Sequence, residues 1–185
     1  MATVILRPNT IGGTTTGWHS GTLSYINDAN DSTSWVQNNS TCLFRGGLDN
    51  LDSSLGGATI NSFTISGRGV AGRAGSSSAV MSLIHSSDGA FAAETENYSG
   101  SNSTETTTAK TTQQDGSSAL TFAYINNCEV SFDPDGAGTT LLDLWVTVDY
   151  TAAAGYANTV NGVAPANINT VKGVAKANIS KVNGA

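Results

Sequence analysis

Apolar residues along this chain fall into short runs set apart by clusters of Gly, Ser, Thr and Asn. The clearest run is Leu141 to Tyr150. It places Leu142, Leu144, Val146, Val148 and Tyr150 on one face and Asp143, Trp145, Thr147 and Asp149 on the other, the period-two pattern of a half-buried strand. Thr3 to Leu6, Ala58 to Ser66, Ala79 to His85, Ala119 to Tyr124 and Asn127 to Phe132 read as further strands. Arg7-Pro8-Asn9 reads as a turn after the first of them. Between Ile60 and Phe63 the alternation slips, which predicts a bulge near Asn61-Ser62. The polar stretch from Ser86 to Gly116 is either a long surface loop or a pair of edge strands.

Short strands at this spacing, joined by turn-forming residues, predict an all-β fold of the β-sandwich or jelly-roll kind over residues 1–150. Glu is scarce, Lys is absent before Lys110, and Leu and Ala keep no helical period, so little helix is expected.

Beyond a linker at 151–158 the pattern changes to a repeat over 159–185. Val160-Asn161-Gly162-Val163 returns as Val171-Lys172-Gly173-Val174 and begins again at Val182, an 11-residue period that also aligns Ile168 with Ile179. Gly in each unit and Pro165 in the first argue against helix. Asn-Gly between β-branched residues favours a tight hairpin, so each unit is expected to be strand, turn, strand. Units this small cannot bury a core alone. Val160, Asn161, Gly162, Val163, Ile168, Val171, Gly173, Val174, Ile179 and Val182 are therefore the expected assembly residues, the other reading being a flexible tail.

The formal charge of −6 argues against nucleic acid as a partner, because affinity for phosphates comes from Lys and Arg. No stretch approaches the ~20 apolar residues of a membrane span, and the first residues lack the basic and apolar regions of a signal peptide. Membrane association and export are not expected. Cys42 and Cys128 lack metal-ligand spacing and read either as a disulfide between strands or as two buried thiols.

The chemistry available is sparse. His19 and His85 have no Cys or His partner at ligand spacing, no GxSxG elbow exists, and Ser is too abundant for any Ser-His-Asp combination to be informative, so no catalytic residue and no cofactor are expected. Asp133-Pro134-Asp135-Gly136 lacks the later ligands of an EF-hand and reads as a turn. Asn27 to Asp31 and Asp49 to Asp52 gather oxygen ligands that two loops would have to bring together around calcium. Trp18, Trp35 and Tyr98, with Tyr25, are candidates for a glycan-contacting platform; core or inter-subunit packing is the competing role for Trp18 and Trp35.

The tail, from Thr159-Val160-Asn161-Gly162-Val163-Ala164 through Ala177-Asn178-Ile179-Ser180-Lys181-Val182-Asn183-Gly184, is similar to the KVNGV repeats at the C-termini of structural proteins of tailed bacteriophages. The order of strands upstream resembles the β-sandwich modules of phage tail fibres, adaptors and capsid decoration proteins. The resemblance implies a non-enzymatic virion component, made in the bacterial host cytoplasm and partnered by itself, as a homo-oligomer such as a trimer, and by other virion proteins. It carries over no catalytic residue. A carbohydrate-binding module recognising host surface glycan is the alternative expectation.

Overall fold

The computed structural model describes residues 1–11, 18–20, 23–27, 35–37, 43–51, 55, 58–71, 76–135, 139–152, 170–171 and 174–175. Two antiparallel sheets face each other across one core. The first contains β1 (Ala2–Leu6), β3 (Trp18–Ser20), β4 (Trp35–Gln37), β6 (Thr59–Val70), β9 (Ser103–Thr106) and β11 (Thr140–Thr151). They run in the order β3-β4-β11-β6-β9, with β1 also pairing β11. The second sheet is ordered β2 (Pro8–Ile11), β5 (Phe44–Leu48), β10 (Cys128–Asp135), β7 (Ser76–His85) and β8 (Gly89–Ser99). The all-β sandwich that the residue pattern predicts is the fold observed.

The alternation of β11 is what builds the interior. Leu144, Val146 and Val148 are fully buried and meet Phe63 and Ile65 of β6 on the same sheet. From the second sheet come Phe44 of β5, Met81 and Leu83 of β7, and Val130 and Phe132 of β10. Phe63 packs edge-on against Phe91 at 5.7 Å between ring centroids, and Tyr98 against Phe132 at 5.8 Å, arrangements that aromatic quadrupoles favour. The expected bulge lies at Asn61: Ser62 pairs with Asp149 and Ile60 with Tyr150, leaving Asn61 as the extra residue. A second bulge puts both Leu141 and Leu142 into buried positions. A third lies in β8 between Phe91 and Glu94, where Ala92 takes a left-handed φ of 54°.

Four sequence expectations change or are resolved. Arg7-Pro8-Asn9 is no turn: the chain runs from β1 straight into β2, passing from one sheet to the other at Arg7. Ala119 to Tyr124 is no strand, because Thr121 caps a short helix, α1 (Phe122–Asn126), its hydroxyl accepting from the Tyr124 amide at 3.1 Å. Asp133-Pro134-Asp135 continues β10, paired with Val80, Ala79 and Ser78. Among the described residues, the β5 side of the ladder ends at Phe132, before Pro134, so no partner there calls for the N–H that proline lacks. The polar stretch after Ser86 resolves as two edge strands, β8 closing one sheet and β9 the other.

Within the tail, β12 (Thr170–Val171) pairs antiparallel with β13 (Val174–Ala175), matching Val171 with Val174 across Lys172 and Gly173. This is the strand, two-residue connection and strand that the Val-Lys-Gly-Val spacing predicts. Val160, Asn161, Gly162, Val163, Ile168, Gly173, Ile179 and Val182 lie outside the described residues.

Candidate functional site

Of the expected aromatic platform, Tyr98 stands apart from Trp18 and Trp35. Trp18 and Trp35 lie on neighbouring strands, β3 and β4, at one edge of the six-stranded sheet, and their side chains are outside the described part. Tyr98 belongs to β8 in the opposite sheet and is 1% exposed. Its hydroxyl donates to the Gly67 carbonyl at 3.2 Å, and burial, reinforced by the charges of Glu105 and Glu96, pushes its pKa upward. A ring in that position has no face for a sugar, so Tyr98 is a core residue.

Polar side chains converge instead at one end of the five-stranded sheet. Here β2 and β5 meet the turn after β7 and the junction between α1 and β10. An open cleft of about 510 Å³ is lined there by Asn9, Thr10, Asn50, Ser86, Asn126, Asn127 and Glu129, floored by Gly47, Leu48 and Cys128. Local structure fixes its walls. The Asn126 side-chain oxygen accepts from the Leu51 amide at 2.8 Å, and the Asn127 amide donates to Ala123 O at 2.9 Å. Each uses half of its side chain on the protein, leaving the Asn126 NH₂ and the Asn127 carbonyl open among the described residues. Asn9 and Asn50 are exposed. Glu129 is ion-paired with Arg45, so the cleft offers amides and hydroxyls with its carboxylate already matched. Cys128 carries a free, buried thiol donating to Tyr124 O at 3.2 Å, its pKa pushed up to about 12 by burial, which makes it inert as a nucleophile. Cys42 lies outside the described residues.

His85, Ser87 and Asp88 do come together, in the turn between β7 and β8, but not as a proton relay. His85 Nδ1 faces both Ser87 Oγ at 3.0 Å and Asp88 Oδ2 at 3.5 Å, while Ser87 donates directly to Asp88. A triad needs the imidazole between the two, using both nitrogens. Here the ring stacks on Tyr124 at 4.1 Å, and Tyr124 in turn donates to Asp88, so the cluster ties the hairpin to α1. His19 lies on β3, its side chain outside the described part. Among the described residues, no group of His, Cys, Asp or Glu is placed to hold a metal ion, and no helix is long and apolar enough to cross a membrane. Of the calcium candidates, Asn27 is engaged with Pro8 O at 3.1 Å, while residues 28–31 and 52 lie outside the described part.

Trp145 is an aromatic residue that the pattern marks only indirectly, by setting a large ring on the polar face of β11. Arg7 lies over it, its guanidinium carbon 5.7 Å from the ring centroid, and donates from one terminal nitrogen to Asp143. Asp143 is 2% exposed and has Arg68 at 3.9 Å from its other oxygen. Burial pushes the Asp143 carboxyl above its ordinary value, against the opposing pull of both arginines.

Fold and cleft together define a β-sandwich of the jelly-roll class. No protein-family model and no curated protein matches the chain. Among solved structures, it is similar to a truncated AlyQ with CBM32 and alginate lyase domains, at 11% identity and a TM-score of 0.51, over 84% of this chain. The chain spans only 35% of that structure's length. A second similar structure is the C-terminal CBM6 of LamC, a marine laminarinase from Zobellia galactanivorans, at 8% identity over 80% of this chain and 98% of that one. Its TM-score of 0.42 is too low to add to the argument. The first likeness concerns the fold.

Proposed function

We propose that the sandwich is a non-catalytic carbohydrate-binding module whose ligand sits in the asparagine-lined cleft. The observation that carries this reading is the convergence of Asn9, Asn50, Asn126 and Asn127 with Thr10 and Ser86 around one open concavity. A pyranose presents neighbouring hydroxyls, each both donor and acceptor. Carboxamides answer with a donor and an acceptor on one planar group, at no cost in unpaired charge. The structural likeness to a chain containing a CBM32 domain is in keeping with it.

Calorimetric titration with neutral oligosaccharides tests the reading. Each hydrogen bond lost is worth about 1 kcal/mol, so the double variant Asn50→Ala/Asn127→Ala is expected to bind about tenfold or more weakly, with an unchanged circular dichroism spectrum. Wild-type protein that binds no neutral glycan at millimolar concentration would rule it out.

The tail supports a second, compatible reading: the module is borne on a larger assembly, such as a virion, through its repeats. The paired strands β12 and β13 favour it, since a ladder of four residues is too short to be stable alone and gains from a partner.

A further inference from the structure

Arg7 is held more firmly than an isolated surface arginine and uses little of its donor capacity. One of its terminal nitrogens bonds Asp143, its guanidinium carbon lies 5.7 Å from the Trp145 ring centroid, and among the described residues its side chain makes no other hydrogen bond. A quarter of its side chain, 25%, is exposed. Asp143 meets Arg7 at one carboxylate oxygen and faces Arg68, 3.9 Å away, at the other. Of the five basic residues that precede Thr151, two are spent on this one carboxylate in a chain of net charge −6.

The surface beside it is shaped by register. The next row on the same outer face is Ile5, Thr147 and Thr64, which pair across β1, β11 and β6. Ile5 is 54% exposed, one of the few large apolar side chains open to water among the described residues. The row of Ile5, Thr147 and Thr64 thus lies two residues along from Arg7 and Trp145 on the same sheet.

We infer that this outer face of the six-stranded sheet is a second binding position, for a sugar bearing a carboxylate, with Arg7 as the anchor that takes the carboxylate in a forked pair of hydrogen bonds. The planar fork matches two carboxylate oxygens, and the bond to Asp143, with the Trp145 ring beneath the cation, restrains its orientation before the ligand arrives. Ile5 meets the apolar side of the ring, and Thr147 and Thr64 meet its hydroxyls. This position is separate from the cleft at the end of the other sheet and supplies what the cleft lacks, a cation with unused donors.

The test compares an oligomer of a uronic acid with the same oligomer after its carboxyls are reduced to alcohols, titrated into the full chain. The charge-assisted pair predicts at least about tenfold tighter binding of the acidic oligomer. Arg7→Lys keeps the charge beside Asp143 but loses the fork. It should abolish that preference while leaving binding of the reduced oligomer unchanged. Asn127→Ala should do the opposite. In wild-type protein the Arg7 Nε–H resonance should shift with the acidic oligomer and stay put with the reduced one, which decides the matter even if Arg7→Lys does not fold. Equal binding of both oligomers, or a preference that survives Arg7→Lys, overturns the inference and leaves the cleft standing. Binding of neither overturns both.

Discussion

Tyr98 illustrates how one buried polar atom is used. Its hydroxyl spans the core to Gly67 O, and Gly67 leaves it room: a Cβ there would come within 2.6 Å of the hydroxyl and 2.8 Å of Met81 Sδ. Glycine at this point is a requirement of close approach between the sheets. Replacing Tyr98 by Phe removes the donor but keeps the ring against Phe132, so the expected loss is about 1 kcal/mol in chemical unfolding. Glycan affinity should be untouched, because the ring faces no solvent. A larger effect on binding than on stability would return Tyr98 to the ligand site. The sequence context of Tyr98, polar and rich in Ser, gave no sign of burial. What hides it is tertiary: only the pairing of β8 with β7 sets the ring over Phe132.

At the scale of elements, the two edge strands are joined by electrostatics as well as packing. Glu94 of β8 accepts from the Thr108 amide at 2.7 Å and pairs with Lys110 at 2.5 Å, just beyond the end of β9. Desolvation opposes its charge, yet the hydrogen bonds from Lys110 and Thr108 together hold the carboxyl at about 2 rather than 4.5. A carboxyl depressed in the folded chain contributes stability that is complete above about 4.5 and is lost as pH falls toward about 2. Protection of the Thr108 amide in hydrogen exchange should therefore drop across that window, and Glu94→Gln should remove the dependence. Glu96, raised by desolvation and then by Glu94 and Glu105, works in the opposite sense, its ionisation opposing folding as pH rises. Strands were the part of the fold most open to reading from the chain, since the period-two pattern of β11 and the slip at Asn61 are local signals. The pairing of edges was not, because Glu94 and Lys110 meet only once the sheets close. The cleft was equally hidden: Asn9, Asn50 and Asn127 are scattered along the chain, and in a sequence full of Asn none stands out. Trp145 carried a legible sign, a large ring among Asp and Thr, whose meaning needed Arg7 opposite it.

For the whole molecule, the distribution of charge separates body from tail. All 14 Asp and Glu precede Thr151, whereas Lys172, Lys176 and Lys181 follow it with no acid among them. A basic, strand-forming tail and an acidic body attract each other between copies as well as within one. Light scattering of the full chain is expected to give a mass above the monomer at low salt, falling toward the monomer in ~0.5 M salt as screening shortens the reach of charge to roughly a few ångströms. A chain ending at Gly155 should be a folded monomer at both, with the melting temperature of the sandwich retained. A full chain that is monomeric throughout would remove self-association as the role of the repeats.

Strand β1 lies beside β11, with Ala2 opposite Tyr150 and Leu6 opposite Val146. Neighbours in space are thus separated by almost the whole body in the chain, and closing so large a loop is the entropic toll that slows folding. The β7–β8 hairpin, whose partners are near in sequence, is able to form early; the pair of β1 and β11 must wait. Because Arg7 follows β1 directly, its meeting with Asp143 and Trp145 belongs to that final closure. In time, then, the arginine anchor is a late arrival: it comes into being only when β11 has found β1.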